Sequence, residues 1–302
     1  MSSIDGVYAA AITPRRAGQQ EVDSGALWDL IDFLGAHKVN GIVLMGSTGE
    51  FAHYSIEDRS RFVGLTVKRS RVPILVNISH STLSGAVKLA EAAASCGAAG
   101  LLLMPPYYFR YRQPEILAFC EQFAKEFSQK IPVLLYNIPL FCDPLDVDTT
   151  ARLLESGAFA GIKDSSGDWN NFEALKALHD ARPFTLLTGH DSLYARGRMA
   201  RANGGISGVA CAVPELMVAL DRALIRGESE LITRLGLRVD QFIRWLHHYP
   251  VPVGIKEAAA LRGIRFGEHA VPLTEEQTQK LHEFQEWFRG WLPEVQRESS
   301  YT

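Results

Sequence analysis

The chain has 302 residues, near the upper limit for a single hydrophobic core, although α/β barrels often reach this length as one unit. Its 47% hydrophobic and 22% charged residues argue against a disordered chain, and its net charge of −3 provides no basic surface for nucleic acid. No apolar run is long enough to cross a membrane, and we expect no secretory signal. The four cysteines stand far apart, as reduced thiols do, so we expect a cytoplasmic protein.

Short apolar segments alternate with longer amphipathic segments along most of the chain. Most of the apolar segments are continuously hydrophobic, which is typical of strands buried on both faces. The intervals between them show helical periodicity, with apolar residues recurring on one face. The predicted strands are 8–12, 41–45, 73–78, 100–104, 133–136, 159–162, 184–187 and 206–209.

Eight strand–helix cycles are complete by about residue 225, and eight parallel strands close naturally into a (β/α)₈ or TIM barrel. A doubly wound open sheet is the alternative fold. Residues 13–16 (Thr-Pro-Arg-Arg) stand where that fold would place a glycine-rich dinucleotide turn, so the barrel is favoured.

Three more helices are predicted after the barrel, around residues 230–247, 252–262 and 274–291. No low-complexity linker precedes them. We therefore expect a barrel over residues 1–225 and a helical extension over residues 226–302, packed together as a single structural unit. The extension shows little obvious chemistry, and we expect it to pack outside the barrel or against a partner subunit.

Polar residues follow five of the predicted strands, where barrel enzymes carry their catalytic groups. A purely structural barrel would not need this concentration of reactive side chains at one end. The segments are 46–50 (Gly-Ser-Thr-Gly-Glu), 105–108 (Pro-Pro-Tyr-Tyr), 136–137 (Tyr-Asn), 163–164 (Lys-Asp) and 188–191 (Thr-Gly-His-Asp).

Lys163 is the strongest candidate among them. It follows the apolar segment 159–162, so its side chain should point into the mouth of the barrel. Burial disfavours the charged ammonium form, which makes a free amine available for attack on a ketone. The alternative is a lysine that reaches solvent at a strand end, and sequence position alone leaves both interpretations open.

Tyr136 and the turn that begins at Gly46 are the next candidates. Tyr136 is either a core aromatic, the commoner fate, or a proton relay beside an inward lysine. Ser47 and Thr48, between Gly46 and Gly49, would offer hydroxyls and backbone N–H groups to a carboxylate, or else form only a tight turn.

The histidines give no indication of a metal site. His53, His80 and His190 are scattered and lack metal-binding spacing, so we expect no metal. His190 is the least certain of these assignments because it falls near the predicted barrel mouth.

Taken in order, these segments resemble the dihydrodipicolinate synthase / N-acetylneuraminate lyase family of class I, Schiff-base-forming lyases. The resemblance covers nearly the whole chain. Its segments are 12–14 (Ile-Thr-Pro), 46–50 (Gly-Ser-Thr-Gly-Glu), 106–108 (Pro-Tyr-Tyr), 136–139 (Tyr-Asn-Ile-Pro), 161–166 (Gly-Ile-Lys-Asp-Ser-Ser) and 204–207 (Gly-Gly-Ile-Ser).

The resemblance implies specific roles for the catalytic candidates. Lys163 would form an imine with pyruvate or a pyruvyl group of a 2-oxo acid. Tyr136 would be the general acid and base, linked through Ser47 to Tyr108 of the partner subunit. The protonated imine then serves as an electron sink for condensation, cleavage of a carbon–carbon bond, or loss of a β-hydroxyl group.

The resemblance also implies how the substrate is held and how subunits assemble. Ser47 and Thr48, in the turn that begins at Gly46, would hold the substrate carboxylate, and the backbone at Ile206 would shape the pocket. No external cofactor is implied. Family members are often homotetramers built from two tight dimers, and the role of Tyr108 requires at least a dimer.

One position departs from the pattern of the synthases in this family. They carry an arginine two residues after the Tyr-Asn-x-Pro proline, which grips the carboxylate of aspartate semialdehyde, whereas Phe141 stands there in this chain. An aromatic ring cannot replace that contact. We therefore expect an aldolase or dehydratase of a 2-keto-3-deoxy sugar acid or a related compound. Arg110 or Arg112 would supply another anionic contact or simply be solvated.

Two alternatives to this function stay open. One is a 4-hydroxy-tetrahydrodipicolinate synthase of lysine biosynthesis. The other is a barrel that binds an oxo acid without turnover. The set of Lys163, Tyr136 and Ser47 favours an enzyme over a binding protein, because a binding protein needs no proton relay beside an amine.

Overall fold

The computed structural model describes residues 4–16, 18–19, 21–127 and 131–300. Within these residues eight parallel strands form a closed barrel, each paired with the next along the chain and the last with the first. The strands are β1 (Gly6–Ala10), β2 (Gly41–Leu44), β3 (Ile74–Asn77), β4 (Gly100–Leu103), β5 (Val133–Asn137), β6 (Gly161–Asp164), β7 (Thr185–Thr188) and β8 (Gly204–Ser207).

Helices surround the barrel and continue after it. The predicted TIM barrel with additional C-terminal helices is confirmed. The helices are α1 (Ser24–Ala36), α2 (Ile56–Arg69), α3 (Leu83–Ser95), α4 (Gln113–Glu126), α5 (Val147–Glu155), α6 (Trp169–Ala181), α7 (Tyr194–Met199), α8 (Val209–Ala212), α9 (Pro214–Arg226), α10 (Ser229–Leu246), α11 (Val253–Leu261) and α12 (Glu275–Ser299).

Local sequence signals fix where several helices begin. The Ser55 hydroxyl accepts a hydrogen bond from the Asp58 N–H at the start of α2. Thr274 and Gln277 form a reciprocal capping box at the start of α12. Each bond satisfies a backbone donor that the first helical turn would otherwise leave without a partner.

Strand β6 begins two residues later than the apolar pattern predicts, at Gly161 instead of Phe159. The glycine at this first position allows the close approach of β7, since a Cβ on Gly161 would lie 2.0 Å from the Thr185 carbonyl oxygen. Strand β8 is displaced in the opposite direction and begins at Gly204, where it pairs with Gly6. Because β6 extends to Asp164, Lys163 lies within this paired strand rather than after it.

The C-terminal helices pack on one another and on the last helices of the barrel. Helix α10 contacts α9 and α12, and α11 contacts α8 and α12. Aromatic rings fill the contact between α10 and α12, where Phe242 stacks on Trp291 with their ring centroids 5.7 Å apart. None of the helices in the described residues is both long and apolar enough to span a membrane.

Candidate active site

Lys163 and Tyr136 lie side by side on neighbouring strands. The two residues are register partners in the β5–β6 pair, so their side chains point to the same face of the sheet. The Lys163 Nζ lies 4.0 Å from the centroid of the Tyr136 ring. Lys163 is 5% exposed and Tyr136 is 1% exposed, so the alternative of a lysine extended into solvent is wrong.

The turn after β2 brings a hydroxyl to this pair. The Ser47 Oγ lies 3.1 Å from the Tyr136 hydroxyl oxygen, within hydrogen-bonding distance. Three contacts hold the turn: Glu50 N–H donates to the Ser47 carbonyl (3.0 Å), Thr13 Oγ1 donates to the Gly49 carbonyl (2.7 Å), and Asn77 Nδ2 donates to the Met45 carbonyl (2.7 Å). Residues from three strands and their loops therefore fix the predicted turn.

A cavity of about 360 Å³ opens at this end of the barrel. Five of the predicted site residues line it: Lys163, Tyr136, Ser47, Thr48 and Ile206. Gly46 is not among its lining residues. A Cβ at Gly46 would meet no atom within 4 Å, so the backbone there faces open space.

Gly189 creates the room that the lysine occupies, and the sequence analysis gave it no role of its own. A Cβ at this position would lie 2.6 Å from Lys163 Cε and 2.0 Å from Ser165 Oγ. The Ser165 hydroxyl is buried beside the lysine and lacks a hydrogen-bond partner within the described residues. The glycine directly after β7 is the sequence feature that could have indicated this role, because glycine permits other groups to approach the backbone closely.

A buried carboxylate ties the ends of β5 and β6 together. Asp164 Oδ1 accepts hydrogen bonds from Asn137 Nδ2 (2.7 Å) and Asn171 Nδ2 (3.1 Å), and Oδ2 accepts one from Ser166 Oγ (2.8 Å). Burial raises the pKa of Asp164, and the donors from Ser166, Asn137 and Asn171 oppose that rise. The network holds in place the strands that carry Tyr136 and Lys163.

His190 and Asp191, in the loop after β7, both border the cavity. Asp191 Oδ2 accepts hydrogen bonds from the N–H groups of Gly208 (3.2 Å) and Val209 (3.3 Å), which connects the loop to the end of β8. Burial raises the pKa of the Asp191 carboxyl, with the hydrogen bonds opposing it. His190 Nδ1 lies 2.8 Å from Ser192 Oγ. No group of His, Cys, Asp or Glu side chains in the described parts of the chain is arranged to hold a metal ion.

The outer wall of the cavity comes from the C-terminal helices. The ends of α10 and α11 and the segment between them line the cavity, although the sequence of this extension shows little obvious chemistry. The sequence analysis missed this wall, since nothing in the local pattern shows which way a surface helix crosses the barrel. The residues are Ile243, Leu246, His247, Tyr249, Val251 and Ile255.

Tyr108 lies outside the lysine cavity of its own chain. Its side chain is 87% exposed, and its backbone has a φ of 83°, a left-handed conformation that is strained for tyrosine. It borders a second cavity, of about 340 Å³, which Ser47 and Phe141 also line. A single chain therefore brings Tyr108 near the Ser47 turn but not into the pocket with Lys163.

Phe141 lines the lysine cavity and remains 45% exposed. The two arginines considered as substitutes for the missing charge lie elsewhere. Arg110 pairs with Asp143 (3.1 Å) and Arg112 with Glu115 (2.5 Å), and both guanidinium side chains are largely exposed. Among the described residues no arginine lines the lysine cavity.

The fold and the site together define a class of protein. A buried lysine at the mouth of a closed α/β barrel, beside a tyrosine and a hydroxyl-bearing turn, is suited to covalent catalysis through an imine. The model of the dihydrodipicolinate synthetase family matches residues 3–289 of the chain. The protein belongs to this family.

Curated relatives cover almost the whole length of the chain. The chain is 30% identical over 281 residues to 4-hydroxy-tetrahydrodipicolinate synthase of Methanosphaerula palustris, a match that spans 91% of this chain and 95% of the relative. It is 29% identical over 283 residues to the synthase of the same name from Desulfotalea psychrophila, with 91% and 92% covered.

Solved structures agree with these matches. The chain superposes on 4-hydroxy-tetrahydrodipicolinate synthase of Methylacidiphilum fumariolicum with a TM-score of 0.88 and 29% identity, covering 98% of this chain and 99% of the other. A dihydrodipicolinate synthase from Acinetobacter baumannii, solved in complex with pyruvate, gives a TM-score of 0.85 and 26% identity, with 94% and 98% covered. The protein is a lyase of the class that forms a Schiff base through a lysine.

Proposed function

We propose that Lys163 is the imine-forming lysine and that Tyr136 moves the protons. The unprotonated Nζ attacks C2 of a 2-oxo acid, a proton passes from nitrogen to the former carbonyl oxygen, and water leaves to give the imine. The Tyr136 hydroxyl exchanges these protons, with Ser47 at 3.1 Å as its neighbour in the relay. The single observation that carries the proposal is the buried contact between Lys163 Nζ and the Tyr136 ring at 4.0 Å.

The protonated imine draws electrons from the substrate chain. Loss of a proton from C3 gives an enamine, which can expel a hydroxyl group from C4; this group takes up a proton and leaves as water. Alternatively, the C4 hydroxyl gives up its proton, the C3–C4 bond breaks, and an aldehyde leaves while the bonding electrons form the enamine, which is then protonated at C3. Hydrolysis of the imine returns the free amine of Lys163, so each cycle needs only water and substrate.

The substrate carboxylate is assigned to the turn at the inner end of the cavity. Ser47 and Thr48 line the cavity beside the lysine, and the backbone at Gly46 faces open space. Ile206, on β8, also lines the cavity. Further support comes from the Acinetobacter baumannii relative, a dihydrodipicolinate synthase solved in complex with pyruvate, which is a 2-oxo acid.

The substituent beyond C4 is uncharged, which favours an aldolase or dehydratase of a 2-keto-3-deoxy acid. Large apolar residues form the outer part of the pocket, including Phe141, Leu140 and Val251. A carboxylate there would find no arginine among the described residues that line the cavity, and so no bidentate charged partner. Ser165 and Asp191 remain available for a hydroxyl group closer to the imine.

The second candidate is the 4-hydroxy-tetrahydrodipicolinate synthase of lysine biosynthesis. Its support is the names of the curated relatives, which share 28 to 30% of their residues with this chain. Against it stands Phe141 in place of the arginine that would bind the second carboxylate, with Arg110 and Arg112 paired to other residues.

We infer that the active form is at least a dimer, and a tetramer of two tight dimers by the resemblance. Tyr108 is exposed and held in a left-handed backbone conformation, as expected of a side chain that reaches into the site of a partner subunit. All four cysteines are free thiols, which is consistent with a cytoplasmic location.

The proposal is tested by trapping the imine. Incubation with pyruvate and borohydride should add a reduced pyruvyl mass that maps to Lys163, and Lys163→Ala should lose both this adduct and turnover. Lys88→Arg, at an exposed position of α3, controls for nonspecific labelling of lysines. Labelling at another lysine, or none, would refute the assignment of Lys163.

A substrate screen follows, with 2-keto-3-deoxy acids assayed for pyruvate release and aldehydes assayed for condensation. Efficient condensation with aspartate semialdehyde would establish the synthase instead. An adduct at Lys163 without turnover of any 2-oxo acid would support the non-catalytic binding protein.

A further inference from the structure

A buried ion pair lies directly behind the turn that is assigned to the substrate carboxylate. Lys256 Nζ lies 2.5 Å from Glu50 Oε2, and their side chains are 0% and 6% exposed. Glu50 is the last residue of the turn that begins at Gly46, whereas Lys256 belongs to α11, more than 200 residues away.

Two other basic groups reach the same carboxylate. Arg15 Nη2 lies 3.8 Å from Glu50 Oε1, and His53 Nδ1 lies 3.6 Å from that oxygen. Arg15 and His53 also contact each other at 2.9 Å. Burial lowers the pKa of Lys256, and the hydrogen bond to Glu50 and the charge of that carboxylate oppose the shift.

The backbone of Glu50 makes its side chain important for the shape of the turn. Its φ is 53°, in the left-handed region that costs a non-glycine residue energy. Such a conformation persists where surrounding contacts enforce it. The Glu50 N–H donates a hydrogen bond to the Ser47 carbonyl at 3.0 Å and closes the turn. The contacts of the Glu50 side chain therefore help to fix the position of Ser47.

Lys256 also has a fixed relation to the outer wall of the pocket. The residue before it, Ile255, lines the lysine cavity. Helix α11 packs against α8, which follows β8. The pair thus joins the helix that forms part of the outer wall to the turn that faces the reactive lysine.

We propose that the Glu50–Lys256 pair is a positioning device, which holds the turn of residues 46–50 so that Ser47 stays in contact with Tyr136. The role of this turn in binding substrate rests on the proposed function, whereas the contact by which the ion pair holds the turn does not. Neither residue touches the reacting atoms. Their effect is on the placement of Ser47 and Thr48, and misplacement by about 1 Å can reduce a rate by about 10²-fold.

The experiment removes both charges together, because loss of one alone would leave the other buried without its nearest partner and endanger the fold. Arg15 loses the carboxylate in this variant but keeps its contact with His53 at 2.9 Å. The test variant is Glu50→Gln/Lys256→Met. The matched control is Glu215→Gln/Arg262→Met, which removes another buried ion pair (3.0 Å) that anchors the end of the same helix α11, away from the turn. Both are compared with the wild type by thermal unfolding.

Two measurements separate positioning from stability. Hydrogen–deuterium exchange should rise in the peptide that covers residues 46–50 in the test variant and not in the control. The pyruvate concentration that gives half of the borohydride-trapped adduct should rise by about tenfold or more in the test variant only. The exchange measurement needs no substrate, so it tests whether the ion pair holds the turn even if Lys163 is not the imine-forming residue.

Unchanged exchange over residues 46–50 in a folded test variant would overturn the proposal, as would an equal increase in the control. A rise in exchange without any change in pyruvate trapping would also overturn it, because the turn would then move without affecting the site. Should the test variant not fold, Lys256→Arg keeps the charge, and the proposal requires it to retain the exchange pattern of the wild type.

Discussion

The inner and outer halves of the pocket are built in different ways. The inner half is carried by strands: Tyr136 and Lys163 are partners across β5 and β6, and each is at most 5% exposed. The outer half is carried by a loop and by the C-terminal segment between two helices. Its large apolar residues Leu140, Phe141 and Val251 are 74%, 45% and 53% exposed.

This difference in construction suits the two halves to different tasks: the inner half carries the chemistry, and the outer half selects the substrate. Hydrogen-bonded strand pairs fix the positions of side chains to within small deviations, which suits groups that exchange protons. Loops and helix ends tolerate substitution and insertion at little cost to the barrel, which suits contacts that choose between substrates. Changes in the inner half should therefore lower the rate of the reaction, whereas changes in the outer half should alter which substrate reacts.

Removal of the Tyr136 hydroxyl should lower the reaction rate more than the changes at Gly189, Phe141 and Asp191 do. Tyr136→Phe keeps the buried ring but removes the proton relay, and such relays contribute about 10²–10⁴-fold to a rate. Single-turnover measurement of imine formation should show this loss with little change in thermal stability. The control is Tyr194→Phe, which removes another buried hydroxyl, bonded to Asp221 at 2.7 Å. A loss below about tenfold would return Tyr136 to the role of a core aromatic.

Gly189→Ala should slow the same step by about tenfold or more, because the new Cβ would lie 2.6 Å from Lys163 Cε and force the lysine to move. Trapping by borohydride measures the rate of adduct formation. Gly290→Ala, in an exposed part of α12 with open space around it, is the control and should leave trapping unchanged. Equal rates in wild type and Gly189→Ala would mean that the inner half has room for a methyl group beside Lys163.

Phe141→Arg should change selectivity more than overall rate. An arginine there would offer a charged partner to a distal carboxylate and stand unpaired against a neutral substrate, so a shift of about tenfold in relative kcat/KM is expected. The assay compares aspartate semialdehyde with a 2-keto-3-deoxy acid. Leu140→Arg places the same charge on the more exposed neighbour and should have the smaller effect. Efficient use of aspartate semialdehyde by the unmodified protein would contradict the assignment of Phe141.

The smallest effect concerns stability and pH at Asp191. Burial raises the pKa of its carboxyl above the ordinary value of 3.8, so the folded protein resists the ionisation that the unfolded chain allows. The free energy of unfolding of the wild type, relative to Asp191→Asn, should therefore fall as pH rises from 3.8 to the folded pKa, and then level off. Chemical unfolding at several pH values measures this difference. Asp240→Asn, at an exposed position, controls for loss of a charge, and a flat difference at Asp191 would contradict a raised pKa.

Much of the fold and of the inner site could be predicted from the sequence. Continuous apolar runs identified the strands because strands buried on both faces exclude polar residues. Since all strands in a closed parallel barrel end at one face, the residues after them had to meet there. That argument predicts that Lys163, Tyr136 and Ser47 lie together, although the apolar pattern places the start of β6 two residues too early.

Only the tertiary structure decided how distant segments meet. The outer wall from α10 and α11, the space that Gly189 leaves for Lys163, and the ion pair between Glu50 and Lys256 all join residues far apart in the chain. Periodicity reports which face of a helix is buried, but not against which part of the barrel it packs. An isolated lysine in a helix gives no sign that it will meet a glutamate more than 200 residues away, because that meeting depends on the packing of α11 over the closed barrel.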